Sequence, residues 1–80
     1  MTARVTLYTK PGCHLCDDAR AVIEAVCADL GESFDEVDIT GSAELMTRYG
    51  EESPVTFVDG RQHDYWRVDA TRLRTALTGS

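Results

Sequence analysis

The sequence predicts an α/β protein with the element order β-α-β-α-β-β-α and a four-stranded mixed sheet flanked by helices on both faces. Three observations lead to this fold class. Val5 and Leu7 alternate with polar residues, which indicates a strand, whereas apolar residues recur every three or four positions over residues 15–30, which indicates a helix. Asp59-Gly60 separates two strand-like runs and indicates a hairpin. The first half therefore predicts a parallel β-α-β unit, and the second half ends in an antiparallel hairpin and a helix.

Length and composition predict a single small domain over residues 1–80. The 80 residues, at 8.8 kDa, leave no room for a second hydrophobic core. The composition, 42% hydrophobic and 28% charged, is that of an ordinary globular protein. No repeat or linker divides the chain, and we expect a monomer.

The charge balance excludes several classes of partner. Fourteen acidic residues against eight basic ones give a net charge of −6, which argues against binding to nucleic acid or to an anionic membrane surface. No apolar run reaches the roughly 20 residues that a membrane-spanning helix needs. Only Met1 to Arg4 precede the first strand, so we expect no secretory signal and a cytoplasmic location.

The first half of the chain predicts two strands around one long helix. The first strand covers Ala3 to Tyr8, and Lys10-Pro11-Gly12 interrupts it. The helix begins near Cys13 and ends where Gly31 can act as its C-terminal cap. Phe34 to Ile39 forms the second strand, although three acidic residues interrupt its apolar pattern.

The second half predicts two shorter helices around the hairpin. Ser42 can cap a helix that carries Leu45, Met46 and Tyr49 and that ends at Gly50. The hairpin strands cover Val55 to Val58 and Arg61 to Tyr65. A last helix is capped by Asp69 and runs through Leu77, with Val68 packing against Leu73.

Two cysteines three residues apart are the most informative feature. Cys13 and Cys16 fall at the start of the long helix, directly after a strand, which is typical of a thiol–disulfide redox pair. A disulfide between them closes so short a loop that it would stabilise the fold only weakly. The helix N-terminus offers free N–H groups that stabilise a thiolate at Cys13. We therefore predict Cys13 as the nucleophile and Cys16 as the resolving thiol.

A zinc site is the alternative interpretation of the same two cysteines. It requires two more ligands, and the candidates are Cys27, His14 and His63. On a continuous helix Cys27 would lie roughly 16 Å beyond Cys16 along the axis, which is too far for a shared metal. We therefore expect no metal.

Four other residues are interpreted as structural. Cys27 lies near the apolar stripe of the long helix and is expected in the core. His63 and Tyr65 are expected to be ordinary strand residues. Trp66 follows the hairpin, and a hairpin that ends near the dithiol would give Trp66 a functional role. We expect it instead to pack in the core.

The segments Y-T-K-P-G-C-H-L-C and S-P-V-T-F-V-D-G resemble the glutaredoxins and the wider thioredoxin-like superfamily. The chain is most similar to short bacterial glutaredoxin-like proteins that carry P-G-C-H-L-C. The resemblance covers nearly the whole chain, and it implies a thioredoxin-like fold of the glutaredoxin type.

The resemblance also implies roles for three further residues. The matching proline, Pro54, would be in the cis form, face the dithiol and present the backbone of Ser53 to an extended substrate. Lys10 matches a lysine that helps to hold glutathione beside the nucleophile. We therefore predict Lys10, Ser53 and Pro54 as substrate-binding residues.

The chain departs from the glutaredoxin pattern after the last strand. Glutaredoxins carry a Gly-Gly turn there, followed by an acidic residue, and both hold glutathione. Here residues 65–69 read Y-W-R-V-D, so Asp69 can supply the acid but the glycine pair is missing. This argues against glutathione binding, and we expect no bound cofactor. The signature of redoxins dedicated to ribonucleotide reductase is also missing.

The sequence thus predicts a small dithiol–disulfide oxidoreductase that reduces disulfides of proteins or small molecules. Its partners would be a disulfide substrate and an electron donor, either glutathione or a reductase flavoprotein. The alternative is a redoxin-fold module that senses redox state or binds a metal or an iron–sulfur cluster.

Overall fold

The computed structural model describes residues 3–79, and the ends of the predicted domain at residues 1, 2 and 80 lie outside the described residues. The predicted element order is confirmed. The strands are β1 (Val5–Thr9), β2 (Phe34–Asp38), β3 (Val55–Val58) and β4 (Arg61–Tyr65). The helices are α1 (His14–Leu30), α2 (Ala43–Tyr49) and α3 (Ala70–Thr78), with a 3-10 helix at Ile39–Gly41.

The four strands form one mixed sheet in the order β2-β1-β3-β4. β1 runs parallel to β2 and antiparallel to β3, and β3 pairs with β4 in the predicted hairpin. The turn between β3 and β4 uses positive φ angles at Asp59 (52°) and Gly60 (81°), as this turn requires. The dithiol segment follows β1 in the sequence, and the segment that contains Pro54 precedes β3. These are the two central strands of the sheet.

Helices cover both faces of the sheet. On one face, apolar residues of β1, β3, α1 and α3 form the core, and the fully buried members include Val5, Leu7, Ile23 and Leu73. On the other face, α2 places Tyr49 parallel to Tyr8, with ring centroids 5.4 Å apart. α1 and α3 pack against each other, so the dithiol helix is anchored from two sides. No helix within residues 3–79 has the length and apolar character needed to cross a membrane.

Three strand boundaries differ from their predicted positions. β1 covers Val5–Thr9 instead of Ala3 to Tyr8, and the Arg4 side chain just before it bonds Asp59 and Glu32. β2 ends at Asp38, one residue early, because the Asp38 carboxylate accepts from the N–H of Thr40 and starts the 3-10 helix. At the end of β2, this local contact between a side chain and the backbone competes with the sheet.

The predicted helix caps are all present. Gly31 ends α1 in the left-handed conformation, and Ser42 and Asp69 accept N–H groups at the starts of α2 and α3. Gly50 ends α2 but keeps a right-handed conformation. α3 extends one residue beyond Leu77, because the left-handed Gly79 caps it.

Candidate active site

The first cysteine of the pair caps the dithiol helix. Cys13 has an extended backbone (φ −99°, ψ 111°), and its Sγ accepts a hydrogen bond from the Cys16 N–H at 3.2 Å. The thiol is partly exposed. A sulfur at this position faces the unpaired N–H groups of the first helical turn, which stabilise negative charge. Cys13 therefore lies at the start of the helix, where it can be reached from solvent.

The second cysteine lies beneath the first. Cys16 is 2% exposed, and its Sγ lies 3.6 Å from the Ser53 Oγ. Burial raises the pKa of the Cys16 thiol, and the neighbouring Cys13 raises it further. Hydrogen bonds from the Lys10 backbone and from Ser53 act in the opposite direction. The two thiols therefore differ in access, and Cys16 remains protonated at neutral pH.

Ser53 lies behind the buried thiol of the pair and is followed by Pro54. Both residues are buried, and the peptide bond between them is cis. The Pro54 carbonyl accepts the backbone N–H of Trp66 at 2.8 Å, so this segment is joined to the residue that follows β4. The structure thus brings Ser53 to the buried thiol through its side chain, a contact that the sequence analysis did not predict.

Lys10 reaches across the site to the end of α2. Its Nζ donates to the Gly50 carbonyl at 2.7 Å, and its side chain lines the same pocket as Cys13. The ammonium group is therefore held between the dithiol loop and the segment that leads to Ser53. Lys10, predicted as a substrate-binding residue, therefore lies beside the dithiol.

An ion-pair network beside the dithiol was missed by the sequence analysis. Arg20 also lines the pocket, and its guanidinium bonds both Glu36 oxygens, at 2.5 and 2.7 Å, and Asp17 at 2.8 Å. Arg20 holds the pKa of the Glu36 carboxyl below its usual range. The Asp17–Arg20 spacing was visible as an i, i+3 pair. The partner on β2 became visible only through the fold.

The prediction that Trp66 packs in the core is wrong. Its side chain is 51% exposed, and the indole Nε1 donates to the Glu51 carbonyl at 3.0 Å. Tyr65 is equally exposed and meets the Trp66 ring edge to face at 5.2 Å. The backbone explains the difference, because Trp66 has a φ of 64°. This left-handed turn directs the chain away from β4 and toward residues 51–54.

The three remaining candidates for a metal site are dispersed. Cys27 lies in the core and is 3% exposed, as predicted, and burial raises the pKa of its thiol. His14 is exposed, and His63 lies on β4. Within residues 3–79, no group of three or more histidine, cysteine or acidic side chains is arranged to hold a metal ion.

Comparison with known proteins gives the family. The profile of the glutaredoxin-like domain (DUF836) matches residues 4–78. The chain belongs to this glutaredoxin-like family. It is 33% identical over 82 residues to the uncharacterised protein Rv0508 of Mycobacterium tuberculosis, which covers 96% of this chain and 84% of the relative.

Solved structures confirm the thioredoxin-like fold of this glutaredoxin-like protein. The X-ray structure of the protein XcR50 from X. campestris is 36% identical, with a TM-score of 0.78 over 95% of this chain and 97% of that one. Fasciola hepatica thioredoxin is 22% identical, with a TM-score of 0.60 over 98% and 82% of the two chains. The second likeness concerns the fold alone. A thioredoxin-like fold with a Cys13–Cys16 pair is consistent with a redox role.

Proposed function

We propose that this glutaredoxin-like protein is a dithiol–disulfide oxidoreductase in which Cys13 attacks and Cys16 resolves. The observation that carries the proposal is the unequal placement of the two thiols on one helical turn. Cys13 is partly exposed and accepts an N–H at the helix start, whereas Cys16 is 2% exposed beneath it. A substrate in solution can reach the first sulfur and not the second.

The reaction proceeds through a mixed disulfide. The Cys13 thiolate attacks one sulfur of the substrate disulfide, a Cys13–substrate bond forms, and the other substrate sulfur leaves as a thiolate that takes up a proton. The Cys16 thiol then loses its proton, and its sulfur attacks the Cys13 Sγ. The mixed disulfide breaks, the second substrate thiol leaves, and the Cys13–Cys16 disulfide remains. Two electrons have passed to the substrate.

We propose Ser53, Pro54 and Lys10 as the substrate-binding residues. Ser53 lies behind the dithiol, where its backbone can pair with an extended polypeptide around its disulfide, and Pro54 presents that backbone. Lys10 carries a positive charge at the rim of the pocket and can bind a carboxylate of the substrate. A peptide backbone that pairs with another backbone accepts many side chains, so we propose a range of disulfide substrates.

We propose that an external thiol or a flavoprotein reductase returns the oxidised pair to the dithiol form. A cytoplasmic setting would favour electron flow from this protein to its substrates. The sequence after β4 lacks the glycine pair of glutaredoxins, so a reductase that binds as a protein is the donor we favour over glutathione.

A redox titration tests this function. The purified protein is equilibrated in glutathione buffers of graded potential, and the thiols are alkylated and mapped by peptide mass spectrometry. We expect a reversible Cys13–Cys16 disulfide, with Cys27 reduced throughout. Cys16→Ser should accumulate a stable mixed disulfide on Cys13, whereas Cys13→Ser should lose disulfide reductase activity.

Three results would redirect the proposal. A glutathione adduct on wild-type Cys13 would make glutathione the donor. Disulfide reductase activity retained in Cys13→Ser would refute the assigned roles. A pair that never oxidises over the cytoplasmic range, together with zinc or an iron–sulfur chromophore in the purified protein, would favour a binding module instead.

A further inference from the structure

The hydroxyl of Ser53 is the polar side-chain group in contact with the buried thiol of the pair. The Ser53 Oγ and the Cys16 Sγ are 3.6 Å apart, and the two residues are 6% and 2% exposed. Water therefore has little access to either atom. When Cys16 loses its proton, the charge must be stabilised by the groups that already surround the sulfur.

A serine hydroxyl is suited to this position because it can act in both directions. It accepts a hydrogen bond from a thiol and, after rotation about its Cβ–Oγ bond, donates one to a thiolate. Hydrogen bonds to charged groups are stronger than those between neutral groups, so the contact strengthens as the thiolate forms. Valine or alanine at this position would leave the thiolate without this donor.

We propose that the Ser53 hydroxyl is a catalytic group of the resolving step, in which it donates a hydrogen bond to the Cys16 thiolate that attacks the mixed disulfide. This role extends the backbone role proposed above for Ser53, and it rests on the proposed dithiol exchange. The Cys16 proton leaves to solvent, the Cys16 Sγ bonds to the Cys13 Sγ, and the electron pair of the broken bond departs on the substrate thiolate. Ser53 gains and loses no atom in the cycle.

The charged groups around the dithiol are engaged elsewhere, which leaves Ser53 as the side chain that responds to Cys16. In the pocket, the Lys10 ammonium bonds the Gly50 carbonyl, and Arg20 bonds Asp17 and Glu36. Cys13 is the titratable group that acts on Cys16 directly, and it opposes a second negative charge. During the resolving step Cys13 is in a disulfide and carries no charge, so the donors to Cys16 act without that opposition.

A two-phase release of 2-nitro-5-thiobenzoate separates the two steps. Reduced protein in excess is mixed with 5,5′-dithiobis(2-nitrobenzoate), and the attack of Cys13 releases the first chromophore. Resolution by Cys16 releases the second. The rates of both phases are measured over a range of pH for wild type, Ser53→Ala and Ser53→Thr.

We expect Ser53→Ala to change the second phase alone. Loss of a hydrogen bond to a thiolate should move the pH midpoint of this phase upward by about one unit. A more basic thiolate is also a better nucleophile, so the second phase should be only about threefold slower at neutral pH and no slower above the new midpoint. Ser53→Thr, which keeps the hydroxyl, should retain the wild-type midpoint.

Thr56→Val is the matched control. Thr56 on β3 is fully buried, and its hydroxyl has no hydrogen-bond partner among the residues described, so its removal should change neither phase. An unchanged midpoint in Ser53→Ala would overturn the role of Ser53 while leaving the dithiol exchange intact, and so would an equal shift in Thr56→Val. A wild-type protein without a second phase would overturn the dithiol exchange and the role of Ser53 with it.

Discussion

At the scale of single residues, the site depends on backbone positions that side chains do not usually occupy. Trp66 is the clearest case, with its φ of 64° and its three hydrogen bonds to the carbonyls of Glu51, Glu52 and Pro54. A large L-residue in the left-handed region costs about 1–2 kcal/mol relative to the ordinary conformations. The hydrogen bonds that the indole N–H and the backbone N–H of Trp66 donate offset part of that cost. They also attach Trp66 to the segment that carries Ser53 and Pro54.

This backbone predicts an unusual order of stability at position 66. Trp66→Gly should be more stable than Trp66→Ala by about 0.5–1 kcal/mol, because glycine adopts positive φ without strain and both variants lose the indole. Urea unfolding measures the difference. Arg61, exposed on β4, is the control: there alanine should be more stable than glycine. If alanine were more stable than glycine at position 66 as well as at position 61, the left-handed conformation of Trp66 would be contradicted.

At the scale of elements, polar contacts attach α1 to the edge strand β2. The Arg20 guanidinium of α1 forms a bidentate pair with Glu36 of β2, and both side chains are 33% exposed. The pair lowers the pKa of Glu36, so its contribution to stability is present at neutral pH and is lost as the pH falls through that lowered pKa.

Glu36→Gln should therefore flatten the acid limb of the stability curve. At pH 7 the variant should be less stable than wild type, and the difference should shrink below about pH 4.3, the ordinary pKa of a glutamate. Urea unfolding at a series of pH values measures this, and added salt should reduce the difference because the pair is partly exposed. Parallel curves down to acid pH would show that the pair contributes nothing.

The caps of α2 and α3 should differ in their effects. The Ser42 hydroxyl accepts from the Leu45 N–H at 3.2 Å, and the Asp69 carboxylate accepts from the Arg72 N–H at 3.1 Å. Removal of either cap by alanine costs about 1 kcal/mol. α3 contributes two residues to the core, whereas no residue of α2 is buried.

Ser42→Ala should therefore open α2 locally, with amide exchange in that helix about fivefold faster and little change in global unfolding. Asp69→Ala should instead lower the free energy of global unfolding. Hydrogen exchange with urea unfolding on both variants separates the two outcomes. A global loss in Ser42→Ala as large as that in Asp69→Ala would show that α2 belongs to the central cooperative unit.

Elements were more predictable than the contacts between them. Apolar spacing and cap residues located every strand and α-helix within two residues, because these signals depend on neighbours in the sequence. The 3-10 helix at Ile39–Gly41 was not predicted. The dithiol position followed from the same local signals. The contact of Ser53 with Cys16 joins residues 37 positions apart, and the exposure of Trp66 follows from its left-handed backbone. No local pattern predicts either feature, and the family resemblance implied only the backbone role of Ser53.

At the scale of the whole molecule, one core supports the dithiol helix. Leu73 of α3 and Cys27 of α1 belong to the same cluster of buried residues, and they are 0% and 3% exposed. Cys13 lies outside that cluster and is partly exposed. The buried thiol of Cys27 can react only when the core opens, whereas Cys13 reacts in the folded state. The labelling rate of Cys27 therefore measures how often the core opens, whereas the labelling rate of Cys13 measures reaction of the folded protein.

Leu73→Ala should raise the labelling rate of Cys27 about a hundredfold, because truncation of a buried leucine costs about 3 kcal/mol and each 1.36 kcal/mol is a factor of ten. The rate at Cys13 should not change. Met46→Ala on α2, where the side chain is 39% exposed, should change Cys27 labelling less than fivefold. Timed alkylation of the reduced protein, with peptide mass spectrometry, follows both thiols. If Cys27 were labelled equally fast in all three proteins, its reaction would occur through a local opening, and the core would not be the single unit that supports the site.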